Sequence, residues 1–237
     1  MTHLRQAQPP SNLYVTMSEP QDRQPSTSDL CRRHPALAPL QGDLQRAYAV
    51  LRDCIAGDHK ILVCGNGGSA ADSEHIVGEL MKSCAWKRPI PAADRARLLS
   101  AWPDSGPLAN ALEAGIPAVS LVGQIGLTTA YANDVDYAYG FAQQVYGLGQ
   151  PGDALIAIST SGNSRNIVHA CRVARMRGVA VVGLTGQRGG GMADLCDVAI
   201  RAPETQTHLV QELHLPIYHW LCLALEEHFF GAHGMKS

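Results

Sequence analysis

Five short apolar segments, at 60–64, 118–122, 154–158, 179–184 and 198–201, alternate with stretches of helical periodicity, and this alternation constrains the fold most. Strands that read as continuous apolar runs are buried on both faces, and parallel pairing needs a crossover between them. The pattern therefore predicts an α/β domain, with a parallel sheet covered by helices on both sides. Helices are expected at 36–56, from Ser69 to about Cys84, and at 92–102, 141–148, 165–177 and 207–230. Pro39 falls near the start of the first, where proline is tolerated. The segment 85–116 reads as irregular, broken by Pro89, Pro91, Pro103 and Pro107, and Asn133-Asp134 reads as a loop. Residues 1–35 are polar and rich in Pro, Gln, Ser and Thr, and read as a disordered extension. That leaves 36–237 as a single domain.

Such sheets bind ligands at the carboxyl ends of their strands, and two glycine- and serine-rich loops fall at that edge. The first is Gly65-Asn66-Gly67-Gly68-Ser69. It lacks the Lys of a Walker A loop and the third glycine of the dinucleotide fingerprint, which argues against a nucleotide site. Its glycines let the backbone approach a ligand. Ser69 opens a helix, where free N–H groups favour an anion; taken alone, it equally reads as a helix cap. The second loop is Ser159-Thr160-Ser161-Gly162-Asn163-Ser164. Its hydroxyls and N–H groups suit a phosphate monoester, the plainer alternative being a loop capped by Ser164.

Two dyads follow the loops. His75 and Glu79 lie at i and i+4, on one face of the helix that Ser69 opens. Alone, such a pair reads as a surface ion pair. Gln211 and His219 lie eight apart in the last helix, roughly 12 Å along its axis and about 80° around it. Pro216 between them is expected to remove a hydrogen bond and bend the helix. Leu213, Leu215, Tyr218 and Leu223 form its apolar part, and His208, Glu212 and His214 read as peripheral. His75, Glu79, Gln211 and His219 make a credible zinc set, although Gln is an uncommon ligand. The same residues can serve without metal as general acid and base, with Glu79 and His219 fitting those roles.

The strings 65–79, 158–164 and 211–219 together resemble the phosphoheptose (sedoheptulose 7-phosphate) isomerases of the sugar-isomerase, or SIS, superfamily, over about residues 40–230. The resemblance implies a three-layer sandwich around a five-stranded parallel sheet. It also implies a homotetramer with active sites between subunits. The reaction implied is conversion of sedoheptulose 7-phosphate to D-glycero-D-manno-heptose 7-phosphate through an enediol. Glu79 would be the base and His219 its acid–base partner. Ser69, Ser159, Thr160, Ser161 and Ser164 would hold the phosphate. Asn66 and Asp134 would contact the sugar, with Gly67, Gly68 and Gln211 also lining the substrate. One zinc per subunit would sit on His75, Glu79, Gln211 and His219. Two departures from the family's pattern stand out: a longer 87–117 stretch, and His208 where some members place an aspartate. A non-catalytic branch of the superfamily, sensing sugar phosphates or regulating replication initiation, is the competing reading. That branch loses part of the Glu/His set, which is intact here.

Net charge is −2, so no basic field attracts nucleic acid. No apolar run reaches the roughly 18–20 residues needed to span a bilayer, and the N-terminus lacks a signal pattern. Seven widely spaced cysteines without a C-x-x-C fit reduced thiols in the cytoplasm.

Overall fold

The structure is a computed structural model that describes residues 26–231. Its elements, in chain order, are α1 (Ser28–Arg33), a 3-10 turn (Pro35–Leu40), α2 (Gln41–Ala56), β1 (Ile61–Cys64), α3 (Gly68–Met81), α4 (Ala92–Ala101), α5 (Gly106–Ala111) and β2 (Ala118–Ser120). There follow α6 (Ile125–Asp134), a 3-10 turn (Tyr137–Tyr139), α7 (Gly140–Leu148), β3 (Ala154–Ser159), α8 (Arg165–Met176), β4 (Ala180–Gly186), α9 (Gly190–Ala193), β5 (Val198–Ala202) and α10 (Thr207–Phe230).

The five strands form one parallel sheet in the order β2-β1-β3-β4-β5. Successive strand residues point to opposite faces, and two cores result. Ile61, Val63, Ile156, Ile158, Val182 and Leu184 pack with α2, α3 and α10 on one face. Leu62, Cys64, Leu155, Ala157 and Val181 pack with α7 and α8 on the other. This is the expected three-layer α/β sandwich.

Several boundaries differ from expectation. The extension read as disordered through residue 35 is helical from Ser28, because Leu30 is buried in the core against α2 and α10. Residues 1–25 of that extension lie outside the described residues. Pro39 sits inside a 3-10 turn, so the first long helix begins at Gln41. Asn133-Asp134 is the last turn of α6 rather than a loop; no residue of that helix is buried, so it carries no apolar face to read. The 85–116 stretch contains α5 as well as the expected α4. The third helix stops at Met81 rather than Cys84, where Lys82 turns extended. The amides of Cys84 and Ala85 bond instead to the Glu226 carboxylate. α10 keeps the expected span, Thr207–Phe230, with Pro216 inside it.

Candidate active site

β1 and β3 are direct neighbours, with Cys64 in register with Ala157, so the loops that follow them stand side by side at one sheet edge. Gly67 is the N-cap of α3, with φ 55° and ψ −120°, a backbone state that L-residues avoid. Ser69 therefore lies within the first turn rather than capping it. A Cβ on Gly68 would stand 2.5 Å from Nε2 of Gln211, so the missing side chain lets α10 lie over the start of α3. Ser164 occupies the N-cap position of α8 without a side-chain cap bond; its hydroxyl accepts from Ser159 at 3.1 Å. The N–H groups of Arg165 and Asn166 at the start of α8 are left for an anion, while that of Ile167 bonds Asn166 Oδ1 at 3.0 Å. Ser161 Oγ accepts from the Asn163 amide, and Thr160 lies half-buried between these serines.

Asn66 and the buried Asn166 exchange two hydrogen bonds, each 2.8 Å, across 100 residues. The pair ties the first loop to the first turn of α8. Asn166 was not singled out from the sequence, since an amide one turn into a helix carries no periodic signal. Asp134, expected at the sugar, is exposed and accepts a bond from neighbouring Asn133.

Three of the four dyad residues converge. α3 packs along α10, and the ligand-type atoms of His75, Glu79 and His219 all lie within 4.8 Å of one another. His75 Nε2 is 3.2 Å from Glu79 Oε1 and 3.4 Å from His219 Nε2. The helical i, i+4 spacing brings in Glu79, and helix packing brings in His219. Gln211 stands two turns earlier on α10, its carboxamide over Gly68.

Tyr218 packs in the core as expected and also bridges the helices with its hydroxyl. It donates to Asp72 Oδ1 at 3.3 Å and lies 3.0 Å from His75 Nδ1. With its one proton given to Asp72, Tyr218 can only accept from His75, which places the imidazole proton on Nδ1. His75 Nε2 then offers a bare lone pair to a carboxylate and a second imidazole. With Nδ1 protonated, His75 can meet Glu79 through Nε2 only as an imidazolium or through a bound cation, and His219 Nε2, 3.4 Å away, can donate or ligate according to its tautomer. Two imidazole nitrogens and a carboxylate are a donor set that fits zinc. Asp72 lies three positions before His75, so helical spacing was the available signal for it.

Electrostatics favours proton transfer here. The nearby Cys84 thiol, with help from Lys82 and His75, holds the Glu79 carboxyl below its usual range despite partial burial. Burial, and then the neighbouring His75, lower the basicity of His219. Burial raises the Asp72 carboxyl and the Tyr218 phenol. At neutral pH the pair is therefore an ionised carboxylate beside a neutral imidazole. His214, read as peripheral, is fully buried and donates from Nε2 to the Thr185 carbonyl at 3.3 Å. Leu215 and Leu223, read as apolar packing, are instead exposed.

The SIS domain family matches residues 32–97 and 96–186. The phosphoheptose isomerase of Akkermansia muciniphila is 36% identical over 196 residues, covering 83% of this chain and 90% of that protein. That of Nitratidesulfovibrio vulgaris is 42% identical over 175 residues, covering 74% of this chain and 72% of that protein. A solved phosphoheptose isomerase from Neisseria gonorrhoeae superposes with a TM-score of 0.66 at 30% identity, covering 85% of this chain and 94% of that one.

Proposed function

This chain belongs to the phosphoheptose isomerases of the SIS domain family and is a sugar-phosphate isomerase; we propose that its substrate is sedoheptulose 7-phosphate and its product D-glycero-D-manno-heptose 7-phosphate. The observation that carries this reading is the convergence of Glu79 and His219 at the edge where two hydroxyl-rich loops lie.

In this reading Ser69, Ser159, Thr160, Ser161 and Ser164 hold the phosphate, helped by the N-terminus of α8. The Glu79 carboxylate removes a proton from C1 of the ketose to give the enediol and returns it to C2. His219, neutral at the outset, takes the O1 proton and delivers one to O2. Proton and charge balance within the substrate, so no external redox partner is needed. His75, Glu79, Gln211 and His219 would hold one zinc per subunit, which when bound supplies Lewis-acid polarisation of substrate oxygens. Asn66 and Asp134 are proposed at the sugar, with Gly67 and Gly68 giving room for it.

Residues 36–237 are proposed as one SIS domain, with α1 added to it. A homotetramer is supported by α6, which buries none of its own residues and exposes Ile125 and Leu127. All seven cysteines are free thiols, which supports a reducing cytoplasm. Among the described residues no helix is long and apolar enough to cross a membrane. The product would enter nucleotide-activated heptose synthesis.

The test is to mix the protein with sedoheptulose 7-phosphate and follow the aldose signals by NMR. Turnover is expected. Binding of the sugar phosphate without turnover, with or without zinc, would instead assign the chain to the sensing branch.

A further inference from the structure

The geometry points to Arg88 and Glu226 as positioning residues for the reaction: a buried ion pair that fixes Glu79 against the helix carrying His219. This rests on the reading of Glu79 and His219 as the proton-transferring pair.

The last carbonyls of a helix have no partner within it. In α3 two of them, on Glu79 and Leu80, accept from the Arg88 guanidinium at 3.1 and 2.8 Å. The third donor of Arg88, Nε, reaches Glu226 Oε1 at 2.7 Å. Glu226 also accepts the amides of Cys84 at 2.8 Å and Ala85 at 2.7 Å. Both side chains of the pair are fully buried, and the guanidinium lies over the Phe230 ring, 4.9 Å from its centroid. These bonds join three pieces: the last turn of α3, the segment 82–88 and α10. The segment is gripped on its other side too, since the Ser83 amide and hydroxyl both bond Glu113 and the Ala114 amide bonds the Arg88 carbonyl.

The joined pieces carry the reacting groups. Glu79 is the residue whose own carbonyl Arg88 holds. Glu226 lies seven positions beyond His219 on α10, two turns along the same side. Cys84, whose amide Glu226 holds, is three residues past the end of α3 and five past Glu79, so the held amide fixes the chain just beyond the base. The clamp therefore sets where the backbone that carries Glu79 sits relative to α10.

Stability alone does not call for such a pair. A buried ion pair is often matched or bettered by apolar residues of similar volume. What apolar residues cannot do is grip two helix carbonyls and a carboxylate at once, which takes the planar fork of an arginine.

The experiment compares Arg88→Lys and the double variant Arg88→Met/Glu226→Leu with Glu79→Gln, each at a temperature where its melting curve shows it folded. The expected kcat of the clamp variants is lower on the order of 10- to 100-fold, because small misplacements of a reacting group cost that much. KM should stay within about twofold, since the phosphate loops are untouched. A native kcat in a folded clamp variant, with Glu79→Gln inactive, would overturn the clamp and leave the role of Glu79 standing. An active Glu79→Gln would remove the premise and the proposal with it. If neither clamp variant folds, hydrogen exchange on the native protein decides. Cys84 and Ala85 amides as slow as the core of α10 support the clamp; rates like those of an exposed loop overturn it.

Discussion

His75 and His219, 144 residues apart, meet edge to face with ring centroids 5.0 Å apart and Nε2 atoms 3.4 Å apart. Glu79 completes the group one helical turn along from His75. His75, Glu79 and His219 thus form one cluster where α3 packs on α10, with Gln211 two turns away over Gly68.

Glu79→Gln should abolish isomerisation, with kcat down about 10²–10⁴-fold or more, because it removes the only carboxylate in the His75/Glu79/His219 group. Gln is nearly isosteric, and the side-chain bond of Glu79 is to His75, in α3 rather than in a serine loop. Binding of sedoheptulose 7-phosphate, followed by calorimetry, should therefore persist. Turnover near the native rate would remove Glu79 from the base role.

Tyr218→Phe keeps the ring and deletes the hydroxyl that joins Asp72 to His75. An imidazole that loses the partner on its other nitrogen becomes a poorer and less oriented ligand, typically by 10–100-fold in affinity. Titration with zinc or cobalt should show a loss of about that size. Nitrogen NMR should show the His75 proton on Nδ1 in the native protein and a mixture in the variant. A native protein with the proton on Nε2 would refute the assignment.

How much of this could be read from the chain follows from what each feature depends on. The sheet was legible because Ile61 to Cys64 and Ala154 to Ile158 are apolar on both faces, which only a covered parallel sheet requires. His75 and Glu79 were legible because they share one helix face. The end of α3 was not, since it is set by Glu226, 142 positions beyond Cys84. α6 was hidden because no residue of it faces a core within the chain. His214 was misread, and the hydroxyl of the core residue Tyr218 passed unread, because an interior polar atom looks, in sequence, like any other residue on a helix. Only the packed partner, Asp72 in one case and Thr185 in the other, gives it a role.

The Asn66–Asn166 exchange should couple the two loops energetically. A double-mutant cycle with Asn66→Ala and Asn166→Ala is expected to return about 1 kcal/mol or more of interaction in urea unfolding. Either single variant should raise KM for the phosphorylated substrate, because the first loop is then no longer tied to the N-terminus of α8. Additive losses would show that the two amides act independently.

His214 predicts a pH dependence of stability. Burial depresses its pKa from 6.5 to about 4 in the folded protein. The unfolded chain therefore binds the proton more readily between those values. The stability that neutral His214 confers is fully present above 6.5, falls as pH drops through the window, and is gone below about 4. The span corresponds to about 3 kcal/mol. Gln in its place can still donate to the Thr185 carbonyl but cannot titrate. Between about pH 7 and about pH 4, urea unfolding of the native protein should therefore lose about 3 kcal/mol more than that of His214→Gln. Parallel curves would place the acid sensitivity of this fold elsewhere.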